Sequence, residues 1–137
     1  MNRQNTLTWI AIWTCAALLA GCEASCTTAH FTSVKMARDP DGNQPTTVFA
    51  PGDTFYCLAT MANVPSDTTV KFVWIGVETA GQPPNVKIKE AEATGSDNVY
   101  TANLSLPRPW PTGKYRVDLY IDGKLRNSAD FTVAADE

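Results

Sequence analysis

From His30 onward, apolar residues recur at every second position in short runs broken by Gly, Pro, Asn and Asp. A period of two places successive side chains on opposite faces of a strand, and no window sustains a helical period. The runs predict strands over His30–Ala37, Thr46–Phe49, Thr54–Ala62, Val70–Val77, Val86–Lys89, Val99–Leu106 and Tyr115–Ile121, with Ala129, Phe131 and Val133 on a last one. Phe55, Cys57, Ala59 and Met61 should share one face of the third. Val70, Phe72 and Trp74 alternate with Val73, Ile75 and Val77, so that strand is apolar on both faces and belongs in the middle of a sheet. Val86-Lys87-Ile88-Lys89 has the lysines of a protected edge. Pro51-Gly52, Gly81-Gln82-Pro83-Pro84 and Thr94-Gly95-Ser96-Asp97 turn the chain, and Asp122-Gly123 signals a tight hairpin. About seven strands at regular spacing, with turn signals between them, predict an all-β antiparallel sandwich. Its core should include Phe72, Trp74, Leu104, Tyr115, Val117 and Phe131.

The first residues follow another pattern. Arg3 is the only charge before an almost wholly apolar stretch, Leu7 to Ala20, which ends in Leu19-Ala20-Gly21-Cys22. A positive start, a short apolar run and small residues at the cut describe an export signal, and the run is short for a spanning helix. The four residues resemble the lipobox of bacterial lipoproteins. The resemblance implies cleavage before Cys22, a diacylglycerol on its sulfur, an acylated amino group and anchoring in a membrane. Several acyl chains would hold the protein there essentially permanently. Glu23, where Asp tends to retain such proteins at the inner membrane, implies the outer membrane. The expected organisation is a signal over residues 1–21, a tether over 22–28, a domain over 29–134 and a tail over 135–137.

Within the domain, Trp74 and the stretches Gly113-Lys114-Tyr115-Arg116-Val117, Tyr120-Ile121-Asp122-Gly123 and Phe131-Thr132-Val133 resemble immunoglobulin-like domains of bacterial lipoproteins, over about Thr32 to Val133. The resemblance implies that Tyr115 is a corner tyrosine bonded back to the preceding loop. Val117 stands where antibody domains have a cysteine, so apolar packing must join the sheets.

Charge narrows the partners. The chain of 137 residues carries 11 basic and 14 acidic residues, net −3, and loses one more positive charge with Arg3. A mildly acidic domain with scattered charge argues against nucleic acid. Of the four cysteines, Cys15 lies in the leader and Cys22 takes the lipid. Cys26 and Cys57 remain. An oxidising compartment permits a bridge between them, and the alternative is a buried thiol at Cys57 and a free one at Cys26.

No catalytic signature occurs. His30 is the single histidine, and any nucleophile–His relay would need it. Asp39-Pro40-Asp41-Gly42-Asn43 has the wrong spacing for a calcium loop. No metal site and no cofactor are expected. His30, Met36, Met61, Cys26 and Cys57 are soft donors that would serve an exported copper-handling or redox accessory, which is the alternative function. The leading expectation is a non-enzymatic recognition or structural module that contacts an envelope protein. Arg108 and Trp110, held among Pro107, Pro109 and Pro111, are the candidate partner-binding residues, because Trp and Arg dominate interface hot spots. Tyr120 is their expected outward neighbour, and the other role open to Trp110 is a plug over one end of the core.

Overall fold

The computed structural model describes residues 28–135. Eight strands follow in order: β1 His30–Ala37, β2 Val48–Phe49, β3 Phe55–Ala62, β4 Thr68–Thr79, β5 Val86–Gly95, β6 Val99–Leu104, β7 Gly113–Ile121 and β8 Lys124–Val133. They form two sheets, β1-β3-β6 and β2-β8-β7-β4-β5. All pairings are antiparallel except that of β2 with β8. The fold is the expected all-β sandwich. Because the chain passes from β1 in one sheet to β2 in the other, that side of the sandwich is stitched shut. On the other side the chain crosses between the sheets again, from β5 to β6.

Strand periodicity decided which faces are buried. Phe55, Cys57, Ala59 and Met61 all point into the core, as do Val70, Phe72 and Trp74. The six residues expected there are all buried. Phe55 sits at the centre of an aromatic cluster, with ring centroids 4.9 Å from Phe49 and Phe131 and 4.7 Å from Trp110. Such offset and edge-on contacts add to simple area burial. The Tyr115 hydroxyl donates to the Pro111 carbonyl at 2.5 Å, which is the corner contact that the resemblance implied. Asp122 and Gly123 both have positive φ, the conformation of a type I′ hairpin.

Three stretches depart from the sequence reading. β5 runs to Gly95, well beyond Lys89, because pairing with β4 imposes extension on Glu90-Ala91-Glu92-Ala93, residues with no strand preference of their own. β8 begins at Lys124, directly after the turn. Asp118 faces outward from its sheet yet is buried, since Arg116 Nε and Ser128 Oγ both donate to it at 2.8 Å and cover it.

The exposed edge of β5 is blunted. A register shift between Trp74 and Ile75 leaves Ile88 as an extra residue in β5, and it puts Lys89 opposite inward-facing Trp74. A bulge and a charge turned inward both discourage pairing with a foreign strand.

Candidate recognition site

The sandwich has two poles. His30, Ala62, Thr68, Gly95, Val99 and Ile121 mark one, and the chain enters the domain there. Ala37, Phe55, Leu104, Thr79, Val86, Gly113 and Val133 mark the other, which we call the distal pole. The three Pro/Gly-rich connections, over residues 50–54, 80–85 and 105–112, all lie at the distal pole.

The last of these is stiff. Its prolines fix φ, the Trp110 N–H donates to the Pro51 carbonyl at 2.8 Å, and the Tyr115 hydroxyl holds Pro111. Burial pushes that hydroxyl up to about 12, so it stays protonated as a donor. Trp110 is turned inward. It is 4 % exposed, stacks on Phe55 and meets Tyr115 edge-on with centroids 6.0 Å apart. It is therefore the plug over one end of the core, the other role open to it, and of the two candidate partner-binding residues Trp110 is not available for docking. Its Nε1 is buried and has no acceptor. Arg108 is exposed, as a docking residue must be. Tyr120 is not its neighbour. Tyr120 lies near the other pole, opposite Leu125, with the Lys71 ammonium 4.8 Å from its ring centre.

Behind the connection lies a groove of about 230 Å³. Gly76 and Thr79 of β4, Val86 and Ile88 of β5, and Leu106, Trp110 and Tyr115 line it, and Arg108 stands at its rim. The lining is mostly apolar. Gly76 is the residue that sequence reasoning missed. It interrupts the apolar run of β4, where glycine weakens a strand and often marks a close approach. A Cβ built there would meet Thr79 Cγ2 at 3.4 Å and Ile88 Cδ1 at 3.7 Å, both side chains of the groove. That isolated glycine was the signal in the sequence.

The soft donors do not converge. Met36, Cys57 and Met61 are buried in the core. Met36 lies opposite Cys57, toward the distal pole, whereas His30 is at the other end of β1. Six residues of strand span about 20 Å. His30 is exposed, and its Nδ1 bonds the Thr28 carbonyl at 2.9 Å. Among the described residues no group of three His, Cys, Asp or Glu side chains could share a metal. The Asp39 carboxylate accepts from the backbone N–H of Asn43 and Gln44 at 2.9 and 2.7 Å, so its loop is a self-satisfied polar turn.

Among the described residues Cys57 is a fully buried thiol with no cysteine partner. Cys26 lies outside the described residues.

Burial pushes the Cys57 thiol up to about 12, from 9.0. An unfolded chain loses this proton at lower pH than the native one. The stabilisation is thus complete below about pH 9 and is lost as pH rises toward 12. Tyr115, raised from 10.0 to about 12, acts in the same direction. The expected result is a denaturation midpoint that falls between pH 9 and pH 12, and a native Cys57 that resists alkylation in peptide-resolved labelling. Labelling at the unfolded rate under native conditions would refute the burial.

No protein-family model matches this sequence, and no curated protein does. Solved structures resemble the domain. An immunoglobulin-like protein from Pseudomonas aeruginosa aligns with a TM-score of 0.55 and 13% identity, covering 77% of this chain and 96% of that one. The alkylpurine DNA glycosylase AlkC of Pseudomonas fluorescens aligns with a TM-score of 0.50 and 15% identity over 78% of this chain, which spans 30% of the glycosylase. A β-glucosidase from Listeria innocua aligns with a TM-score of 0.49 and 13% identity over 79% of this chain and 16% of its own. At such identities the likeness concerns fold alone. With the layered sheets, the corner tyrosine and the buried Trp74, it makes this domain an immunoglobulin-like β-sandwich.

Proposed function

We propose that this chain is a bacterial lipoprotein that presents a non-enzymatic immunoglobulin-like recognition module in the cell envelope, anchored through lipid on Cys22, at the outer membrane. The observation that carries the reading is the coincidence of Leu19-Ala20-Gly21-Cys22 with a charged-then-apolar leader, directly ahead of a compact β domain. Glu23 supports the outer membrane. The chain enters the domain at the pole of His30, so anchoring there turns the distal pole away from the bilayer. Twelve strand residues in β4 put the distal connections about 40 Å from the entry point. A partner would meet these rigid loops first.

The expected result is incorporation of a fatty-acid analogue into the wild-type chain, with its loss and accumulation of the uncleaved form in Cys22→Ser. If Cys22→Ser is cleaved normally and stays membrane-bound, the reading is wrong. Density-gradient separation of the two membranes tests the location, with Glu23→Asp expected to shift the protein inward.

A further inference from the structure

We propose that the distal groove binds an extended segment of a partner protein, taking one large apolar side chain inside and an adjacent carboxylate at Arg108. This rests on the recognition reading above and names the chemistry of the partner. The groove volume of about 230 Å³ falls below the range of about 300–1,000 Å³ usual for drug-sized ligands, so it suits a single side chain better than a whole cofactor.

Gly76 keeps the floor open. It sits in a central strand opposite Tyr115, its φ lies outside the left-handed region, and a Cβ there would project only against Thr79 and Ile88. The backbone does not need glycine at this position; the vacancy does.

Polarity selects the rest of the ligand. Arg108 is the only charged residue lining the groove, and it has no ion pair or hydrogen bond within the described residues. An unpaired cation and no anion among the groove's lining residues complement an acceptor of negative charge. A guanidinium recognises a carboxylate by paired hydrogen bonds, at a rim position where the pair remains solvated and adds specificity. The stiff connection loses little entropy on docking.

The test uses the full chain in detergent and three labelled octapeptides: Gly-Ser-Asn-Phe-Asp-Asn-Ser-Gly, the same peptide with Phe-Asn at its centre, and the same with Ser-Asp. Anisotropy should show weak binding of the Phe-Asp peptide, at least fivefold weaker binding of Phe-Asn, and none of Ser-Asp. Arg108→Gln should weaken Phe-Asp to the level of Phe-Asn and leave Phe-Asn unchanged, which isolates the charge pair. Gly76→Val should fill the floor and abolish binding, with an unchanged or raised melting temperature because a β-branched residue suits a strand. The proposal is overturned if no peptide binds, if acid and amide bind alike, if Gly76→Val binds normally while folded, or if phenylpropionate binds and the peptides do not. Peptide binding is measured apart from fatty-acid labelling, so failure here leaves the anchoring result standing, and the reverse.

Discussion

Replacing Trp110 with alanine should destabilise the domain by about 3–5 kcal/mol, the usual cost of deleting a buried large aromatic. The side chain is stacked on Phe55 at 4.7 Å and braced by Tyr115, and Phe55 in turn contacts Phe49 and Phe131. Removing the plug therefore opens a cavity at the centre of the aromatic cluster, at the end of the sandwich where the connecting loops cannot collapse. Three prolines and the Trp110 N–H bond to Pro51 hold those loops in place. Arg108→Ala is the matched control two residues away. Exposed and unpaired, it should change stability by less than about 0.5 kcal/mol. Equilibrium denaturation of both variants checks the pair. A neutral Trp110→Ala would mean that the ring does not fill the core wall.

Gly113→Ala should cost a further large amount, about 2–4 kcal/mol, through the backbone instead of the core. Gly113 opens β7 with φ of 144°, a conformation that L residues avoid. A methyl group there would collide with the Glu78 carbonyl and would lie 2.8 Å from Thr79 Cα. Both obstacles are backbone of the neighbouring β4, so no side-chain rotation relieves them. The end of β4 would have to part from β7, and the groove floor at Gly76 and Thr79 would move with it. The measurement is the melting temperature beside the strand content by circular dichroism. Gly123→Ala serves as comparison: it shares a positive φ, but a Cβ there meets nothing within 4 Å, so its smaller loss isolates the clash.

The residues that were legible in advance share one property: a local pattern decided them. Phe55, Cys57, Ala59 and Met61 alternate along one strand, and strand geometry alone sends them to one face. Asp122-Gly123 turns the chain because two consecutive positive φ values favour that dipeptide. Glu90 to Gly95 was not legible as strand, since its extension comes from the register with Val70, Phe72 and Trp74 and not from its own composition. Asp118 reads as a solvent-facing charge, and Arg116 with Ser128, ten residues away, covers it.

The sequence by itself determined the class of fold, the inward face of each main strand and the corner contact of Tyr115. These follow from period, turn chemistry and a short motif, all of which act over a few residues. Only the tertiary structure decided that Trp110 turns inward, that Tyr120 lies at the opposite pole, that His30 is remote from Met36 and Cys57, and that Gly76 leaves a groove beneath Arg108. Each of those depends on which distant segments pack together, and a window of sequence carries no record of that: the direction of a loop side chain is set by the surface it meets, here Phe55 and Pro51 from strands and turns more than fifty residues earlier.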